Sequence, residues 1–354
     1  NPWVMVPSLP KTMRSLRWYA PEQIQLDTVP LPQVGPGEAL VKIGAATTCG
    51  TDFKTFRRGH PRLIREIPAP FGHEMAGTVA AVGPGVKGFS PGDRVVVGNS
   101  APCGQCFYCR KKSPALCEDL QFLNGAYSDF ILVPARIVEV NLHPIPDSLS
   151  FATAALSEPL ACVLNAFEKV GPRAGESVLL IGAGPMGVLF AQLAKLYGTS
   201  LIALARDPEK LKNLQKHGAR EVISLTQDEK PLEQARLLLN EGRGADIVIE
   251  AVGLPETWEM AVDLARPGGR VCFYGGCAQG TSVSLDTYRL HYEELNLFGV
   301  FHHTPAFFKK AVELLSDEKI KPEGLVVGEI PLEDYGLLFR KGMKSNPLKY
   351  AVVP

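Results

Sequence analysis

The stretch from Ser177 to Leu211, SVLLIGAGPMGVLFAQLAKLYGTSLIALARDPEKL, decides the fold of this chain. It begins with an apolar run that ends at Ile181 and has the length and β-branched content of a buried parallel strand. A glycine-rich turn, an apolar helical stretch and a second strand follow. Further strand-like runs at 245–253 and 269–276 alternate with helical stretches such as 257–265. The sequence therefore predicts an α/β domain with a doubly wound parallel sheet.

Three glycines at the first turn have the spacing of a nucleotide-binding loop. Gly182, Gly184 and Gly187 fit the pattern G-x-G-x-x-G, with Pro185 and Met186 inside it. The first glycine permits the turn, the second lets the backbone approach a pyrophosphate, and the third packs the helix against the strand. A structural glycine turn is the alternative. The position between a buried strand and an apolar helix favours dinucleotide binding, with the phosphates at the helix N-terminus.

The residue after the second strand indicates which dinucleotide binds. An acidic residue about 20 positions beyond the glycines usually accepts hydrogen bonds from the adenosine ribose. Here that position is Arg206, which can instead clamp a 2′-phosphate through charge-assisted bonds worth about 1.5–3 kcal/mol each. Lys210 is a further cation nearby. We therefore predict NADP, with NAD held by Asp207 as the alternative, although Asp207 also fits a helix N-cap before Pro208.

Length and composition limit the function classes. The 354 residues suggest two domains, and 45% hydrophobic with 21% charged residues is an ordinary globular composition. Basic and acidic residues number 37 each without a long basic block, which argues against nucleic-acid and membrane partners and for a small-molecule substrate. We find no membrane-length apolar run or signal peptide and expect a cytoplasmic protein. Residues 1–12 are Pro-rich and patternless, and are set aside as a leader or tag.

Four of the eight cysteines fall within fifteen residues, CGQCFYCRKKSPALC. A disulfide framework belongs to small secreted chains, and the last interval is longer than in the common iron–sulfur runs. Thiolates spaced two residues apart in a turn can converge on one tetrahedral ion, and four of them close its coordination shell. The spacing therefore predicts a structural zinc site at Cys103, Cys106, Cys109 and Cys117.

A second set of metal-binding side chains lies on three glycine- or proline-marked turns. Cys49 is in TTCGTD, His73 and Glu74 are in FGHEMAG, and Glu158 is in LSEPLA. Together they can form an open metal site. Taken one at a time, an ordinary structural role explains them better, because a lone cysteine is usually in the core and a lone Glu-Pro is usually a helix entry.

The ordered motifs CGTD, GHEMAGTVAAVG, PGDRVVV, the cysteine cluster, NGAYSDF, EPL and GAGPMG resemble the zinc-dependent medium-chain dehydrogenase/reductases of the alcohol dehydrogenase superfamily. The chain is most similar to their polyol (sorbitol) and threonine dehydrogenase branch, from Met13 to the C-terminus. The resemblance implies a GroES-like β-rich catalytic domain at 13–154 and 299–354, with the zinc lobe at about 99–120. A Rossmann domain is implied at 155–298. A helix and two short strands after Val300 are expected to pack back on the first domain.

The resemblance also implies roles for the second metal set. Cys49 and His73 would be ligands of a catalytic zinc, with a glutamate as the third. Other alcohol dehydrogenases carry a cysteine at the position of Glu158, whereas polyol enzymes often use the residue matching Glu74 and hold a water with the other glutamate. Both alternatives stay open. Asp52 would orient the ligating imidazole, or alternatively cap the turn.

The implied reaction transfers a hydride between a secondary alcohol, of polyol, cyclitol or sugar-derived type, and a nicotinamide cofactor, with zinc as the Lewis acid. Thr51 would start the proton relay. Lys54 stands where many relatives have histidine, which leaves the end of the relay open. The alternatives are a threonine- or diol-type zinc dehydrogenase, a superfamily reductase and a non-catalytic dinucleotide-binding protein. We expect two zinc ions per chain and a homodimer or homotetramer.

Five residues are candidates for the substrate wall, with core packing or a solvated turn as the alternative role: Phe53, Phe56, Phe122, His302 and His303.

Overall fold

The computed structural model describes residues 9–339 and 348–354, and the chain divides into two compact units. The first unit comprises Asn1–Ala161, Thr304–Glu318 and Glu323–Pro354, and the second comprises Cys162–His303 and Lys319–Pro322. Most of the opening that the sequence analysis set aside lies outside the described residues. Thr12, however, already begins the first strand.

The described residues form strands with these bounds: β1 (Thr12–Ala20), β2 (Gln23–Pro30), β3 (Ala39–Thr47), β4 (Ala69–Pro70), β5 (Met75–Val82), β6 (Arg94–Val97), β7 (Ser100–Ala101), β8 (Gln121–Phe122), β9 (Phe130–Val133), β10 (Leu142–Pro144), β11 (Ser177–Ile181), β12 (Ser200–Ala205), β13 (Glu221–Ser224), β14 (Ala245–Glu250), β15 (Ala265–Phe273), β16 (Asn296–Gly299), β17 (Val326–Pro331) and β18 (Lys349–Val353).

The α-helices have these bounds: α1 (Gly50–Arg58), α2 (Phe107–Arg110), α3 (Ala135–Asn141), α4 (Phe151–Ala155), α5 (Ser157–Lys169), α6 (Pro185–Leu196), α7 (Pro208–Lys216), α8 (Pro231–Leu237), α9 (Pro255–Leu264), α10 (Thr287–Tyr292) and α11 (Pro305–Ser316). Several begin where the sequence supplies a capping side chain, as Thr304 does for α11. Within the described part of the chain, no helix has the length and apolar character needed to cross a membrane.

The second unit is built on a six-stranded parallel sheet in the order β13-β12-β11-β14-β15-β16. This is the doubly wound order, in which the direction of strand succession reverses beside the first strand, β11. The predicted fold class is confirmed. Leu179, Ile202 and Val248 on the central strands are fully buried, which accounts for the unbroken apolar runs in their sequences.

One strand of this sheet is shorter than the sequence pattern suggested. The apolar run at 245–253 leaves the sheet after Glu250, whose carboxylate accepts hydrogen bonds from the backbone N–H groups of Val252 (2.8 Å) and Gly253 (2.9 Å). Gly253 has a φ of 83°, which a β-branched residue would not tolerate. The strand therefore ends in a turn fixed by its own last side chain.

The first unit is built mainly on a seven-stranded sheet in the order β10-β6-β5-β3-β18-β17, with β9 also pairing with β3. A three-stranded sheet, β2-β1-β4, accompanies it. The late strand β18 pairs antiparallel with β3 through Ala351 opposite Thr47 and Val352 opposite Ala46. The predicted return of the C-terminal segment to the first domain is confirmed.

A buried carboxylate ties the starts of β11 and β14 together. Asp246 Oδ2 accepts hydrogen bonds from the backbone N–H (2.8 Å) and hydroxyl (2.7 Å) of Ser177 and from the amide of Asn240 (3.2 Å). Its other oxygen accepts from Arg266 Nε at 2.7 Å. Burial acts to raise the pKa of Asp246, but these donors outweigh it and lower the pKa to about 2.

Replacing Asp246 by Asn should lower the free energy of unfolding by about 1–2 kcal/mol at pH 7, after allowance for solvent screening. The ionised Asp246 carboxylate contributes fully to the free energy of unfolding above the unfolded-state pKa of about 3.9, and this contribution is lost as the pH falls towards 2. Denaturant unfolding at a series of pH values should therefore show that the wild type and the variant become more similar in free energy of unfolding as the pH falls through that window. Asp147→Asn is the control, because the Asp147 side chain is fully exposed (100%). A difference that is independent of pH between 2 and 5 would contradict the role of this carboxylate.

Candidate metal and cofactor sites

The N-terminus of α1 positions the first predicted metal ligand. Cys49 is the N-cap residue, and Asp52 three positions later accepts a hydrogen bond from the Cys49 backbone N–H (2.9 Å). The same carboxylate accepts from the Tyr127 hydroxyl (2.6 Å), and its other oxygen lies 3.0 Å from His73 Nδ1. Asp52 therefore fills both roles considered from the sequence, because it caps the turn and also faces the imidazole.

Asp52 is almost completely buried and yet stays ionised. Burial acts to raise the pKa of Asp52, but the charge of His73 and the hydrogen bonds from Tyr127 and the Cys49 backbone outweigh it and hold the pKa below its usual range. A fixed carboxylate at Nδ1 leaves Nε2 of His73 as the nitrogen available to a metal ion.

The structure brings three of the predicted ligands together. The ligand atoms of Cys49, His73 and Glu74 all lie within 4.8 Å of one another. Sulfur, nitrogen and oxygen ligands at about 2.0–2.3 Å from zinc are themselves about 3.3–3.8 Å apart in a tetrahedral site, so the group fits a zinc ion after a small contraction. His73 and Glu74 are buried, whereas Cys49 is partly exposed.

Glu74 has a buried partner that the sequence analysis missed. Lys349 Nζ lies 2.7 Å from both carboxylate oxygens of Glu74 and donates a further hydrogen bond to the Thr48 carbonyl at 2.7 Å. Thr47 donates its hydroxyl to Glu74 as well. Burial acts to lower the pKa of Lys349, but Glu74 and the neighbouring anions outweigh it and raise the pKa above its usual value. Lys349 is therefore charged inside the first unit.

Glu158, on the first turn of α5, is buried and accepts a hydrogen bond from the Asn99 amide at 2.9 Å. Burial raises the pKa of Glu158 to about 7, and the charge of Glu74 adds to this effect. A bound cation would oppose that shift and keep the carboxylate ionised.

The four clustered cysteines also converge. None of the eight cysteines forms a disulfide, and the ligand atoms of Cys103, Cys106, Cys109 and Cys117 lie within 4.8 Å of one another. The Cys106 and Cys117 sulfurs are 3.8 Å apart, which equals the edge of a tetrahedron with Zn–S bonds of about 2.3 Å. The cluster fits a zinc ion.

Electrostatics in the cluster favour a bound cation. Backbone N–H groups of Cys109 and Glu118 lower the pKa of Cys106 to about 6. Burial and the neighbouring thiols raise the pKa of Cys109 to about 12. Four thiolates repel one another in so small a volume, and a divalent cation removes that repulsion.

The glycine loop of the second unit has the geometry that its sequence predicts. Gly182 has a φ of 115° at the end of β11, and Gly184 is the N-cap of α6 with open space where a Cβ would stand. At Gly187 a Cβ would lie 3.1 Å from the Gly182 carbonyl and 3.3 Å from side chains of Leu180 and Leu214. The loop therefore leaves room at the helix N-terminus and packs tightly behind it.

After β12, Asp207 caps the next helix and Arg206 is an exposed cation. Asp207 accepts hydrogen bonds from the backbone N–H groups of Glu209 (3.0 Å) and Lys210 (3.3 Å), so its predicted N-cap role is confirmed. Arg206 is exposed, and its guanidinium makes no hydrogen bond or ion pair with any other described residue. Lys210 Nζ lies 3.7 Å from the second oxygen of Asp207.

Of the five residues considered for lining the substrate site, Phe56 belongs to the core of the first unit and Phe53 packs against that core. Phe56 and Phe53 pack on Phe339, with ring centroids 4.6 Å and 5.8 Å apart. Phe122 lines a cavity. In the second unit, His303 is buried and its ring centroid lies 4.1 Å from that of His302.

Thr51 and Lys54, the relay candidates, are both on α1. The Thr51 backbone N–H points at Cys49 Sγ, 3.5 Å away, and the Lys54 side chain is exposed. Thr51 therefore lies next to the predicted ligand Cys49, and the end of the relay stays open.

Comparison with known proteins identifies the family. Residues 35–147 match the family profile of the alcohol dehydrogenase GroES-like domain, and residues 185–317 match that of the zinc-binding dehydrogenase. D-arabinitol dehydrogenase 1 of Uromyces fabae is 30% identical to this chain over 98% of it and 99% of that protein. The chain belongs to the zinc-binding alcohol dehydrogenase family.

Two further relatives of this zinc-binding dehydrogenase are similar over nearly their full lengths. Sorbitol dehydrogenase of Bacillus subtilis (strain 168) is 29% identical over 99% of both chains. A crystal structure described as a zinc-binding dehydrogenase from Sinorhizobium meliloti 1021 bound to NADP has 28% identity and a TM-score of 0.90, covering 98% of this chain and 100% of that one. As a zinc-binding dehydrogenase, the protein is an oxidoreductase that uses zinc and a nicotinamide cofactor.

The Glu74–Lys349 pair generates a stability prediction for this dehydrogenase. Lys349→Met leaves the Glu74 charge buried without its cation and should lower the free energy of unfolding by about 3–5 kcal/mol in urea titrations. The double variant Glu74→Gln with Lys349→Met should recover most of this loss. Lys309→Met is the control, since its pairing with Glu313 is exposed and long (3.9 Å). Equal effects of the two lysine substitutions would show that the buried pair does not stabilise the fold.

Proposed function

We propose that the protein transfers a hydride between a secondary alcohol of a polyol-like substrate and a nicotinamide cofactor. The observation that carries the proposal is the group of Cys49, His73 and Glu74, with sulfur, nitrogen and oxygen within 4.8 Å in a partly buried position. The names of the arabinitol and sorbitol dehydrogenases that resemble it over 98–99% of the chain support a polyol substrate. The catalytic domain would be 13–154 with 299–354, and the dinucleotide domain 155–298.

Cys49, His73 and Glu74 are the proposed ligands of the catalytic zinc, which when bound would lower the pKa of the substrate alcohol as a Lewis acid. Asp52 holds the imidazole of His73 through Nδ1 so that Nε2 is the ligating atom. Lys349 neutralises Glu74, so the three ligands together with Lys349 carry a net charge of about −1 when Cys49 is a thiolate. A weakly anionic ligand set leaves more of the positive charge of the cation to act on the substrate.

Two further side chains complete the proposed catalytic group. The Thr51 hydroxyl, next to the ligand turn, accepts the alcohol proton and passes it towards solvent. Glu158, buried and with a pKa raised to about 7, holds a water molecule or a substrate hydroxyl beside the ligands.

The second unit is proposed to bind NADP. The pyrophosphate would lie at the N-terminus of α6, on the loop formed by Gly182, Gly184, Pro185, Met186 and Gly187. Arg206 would clamp the 2′-phosphate with help from Lys210. The carboxylate of Asp207 is engaged by backbone N–H groups, which disfavours its use as a ribose acceptor for NAD.

The proposal is tested by turnover together with zinc content. Zinc-loaded wild type should carry two zinc ions per chain and reduce the nicotinamide when supplied with polyols, with threonine and butanediol as the competing substrates. Cys49→Ser should lose one zinc and all turnover. Cys103→Ser should lose one zinc and lower the midpoint of thermal unfolding, because the closed cluster holds a loop.

Turnover by Cys49→Ser equal to that of wild type would contradict the proposed active site. A wild-type zinc content of one or none would instead favour a superfamily reductase or a non-catalytic dinucleotide-binding protein. Cys272→Ser is the matched control, since this buried cysteine lies on β15 and belongs to neither cysteine group.

Cofactor choice has its own test. Arg206→Asp should weaken NADP by about tenfold or more, judged by kcat/KM, and NAD much less, because one or two charge-assisted bonds to the 2′-phosphate are lost. Lys212→Asp is the control, because Lys212 is paired with Glu209 on the exposed face of α7. An unchanged NADP to NAD ratio in Arg206→Asp would move phosphate recognition to another side chain.

A cytoplasmic location and a dimeric or tetrameric assembly stay predictions.

A further inference from the structure

The first unit contains a cavity of 340 Å³ beyond the end of α1. It lies between the segments 62–70 and 122–124, and its lining includes Arg62, Arg65 and the aromatic ring of Phe122. The proposed ligand and relay residues are not part of this lining. The cavity has a volume suited to a small organic ligand.

The cavity wall presents an unused hydrogen-bond acceptor. Asn124 donates from its amide nitrogen to the Pro70 carbonyl at 2.5 Å, which fixes the orientation of the side chain. Its Oδ1 is buried and has no hydrogen-bond partner among the described residues. Buried acceptors are normally satisfied, so this oxygen points to a donor that a ligand would supply, such as a hydroxyl group.

The segment that leads from α1 into the cavity lining is basic, in a chain of zero net charge. Residues 54–66 contain five basic side chains and one acidic side chain, Glu66, which gives this segment a net charge of +4. Arg62 and Arg65 both line the cavity, against the single carboxylate of Glu66. Arg65 is exposed and makes no ion pair with the other described residues. Two guanidinium groups at one cavity match the geometry and charge of a phosphate monoester.

Two hydrogen-bonded backbone segments lead from the cavity towards the proposed zinc ligands. Backbone N–H groups of Gly125 (2.7 Å) and Ala126 (3.0 Å) donate to the Gly72 carbonyl, so the segments 70–73 and 124–127 run side by side. Both begin at the cavity. The first reaches His73 and the second reaches Tyr127, each three residues away, and three extended residues span about 10 Å at most. A linear polyol of five or six carbons bridges a separation of this order.

We propose that the cavity binds the phosphate group of a polyol phosphate whose alcohol end reacts at Cys49, His73 and Glu74. Arg62 and Arg65 hold the phosphate, and Asn124 Oδ1 accepts a hydrogen bond from a hydroxyl along the polyol chain. This inference rests on the proposed function, and it narrows the substrate class from polyols to their phosphate esters.

The test compares each polyol with its own phosphate ester on the zinc-loaded enzyme: sorbitol with sorbitol 6-phosphate, and arabitol with arabitol 5-phosphate. The esters should have a kcat/KM at least tenfold higher, mainly through KM. In the double variant Arg62→Gln with Arg65→Gln, the ester-to-polyol ratio should fall by about tenfold or more. Arg57→Gln is the matched control, because the Arg57 side chain is exposed on α1 and outside the cavity lining, and it should keep the wild-type ratio.

Zinc content and the thermal unfolding midpoint establish that the double variant is folded. If it is not, the single variant Arg65→Gln replaces it, because the Arg65 side chain is exposed. Equal kcat/KM for ester and polyol in the wild type, or an unchanged ratio in the variants, would overturn the phosphate site while leaving the proposed reaction intact.

If the proposed reaction itself is wrong, the turnover assays should give a different result. No turnover of any polyol or ester by protein that carries two zinc ions would overturn the reaction itself. The cavity is then tested by calorimetric titration with inorganic phosphate, at fixed ionic strength with chloride as the competing anion. Binding by wild type and Arg57→Gln that is lost in the cavity variants supports the site, and equal binding or none in all three overturns it.

Discussion

The buried ion pair between Glu74 and Lys349 is the contact on which the first unit depends. It joins residues 275 positions apart and lies at the point where β18 enters the sheet beside β3. Two charges removed from water are stable only when each is fully matched, and here the carboxylate meets the ammonium through both oxygens. The ammonium in turn reaches the Thr48 carbonyl. The pair thus fixes the turn that ends at Cys49 and the loop that carries His73.

Asp52 adds a second constraint at the same turn. One carboxylate caps α1, receives the Tyr127 hydroxyl and faces His73, so the start of a helix and the orientation of an imidazole are set by a single side chain. The cysteine cluster is different, since its short spacing brings the sulfurs together locally. One group of candidate ligands is therefore assembled by the sheet of the first unit, and the other by a loop of fifteen residues.

The sequence predicted most of what is local. The parallel sheet followed from apolar runs of strand length, the glycine loop from its spacing, and the N-cap role of Asp207 from the proline after it. The ordered motifs led to the family and to Cys49, His73 and Glu74. Lys349 was missed, because a lysine in the strand LKYAVV gives no sign that a carboxylate from a distant loop receives it.

Other differences from the sequence analysis have the same origin. Phe53 and Phe56 could line a substrate site or the core, and only the position of Phe339, almost 300 residues later, places them in the core. The cavity near Arg62 and Arg65 was also not predicted, since the basic segment alone does not differ from a solvated surface. Contacts between distant segments decide these cases, and a sequence pattern does not contain them.

The position of β18 between β3 and β17 has a consequence for how the protein is made. During synthesis, the whole second unit leaves the ribosome before Lys349 does, so its six-stranded sheet can close while the sheet of the first unit still lacks an interior strand. Until that strand arrives, Glu74 is without its cation. Assembly of the Cys49–His73–Glu74 group is therefore a late event in folding, whereas the four clustered cysteines can converge much earlier.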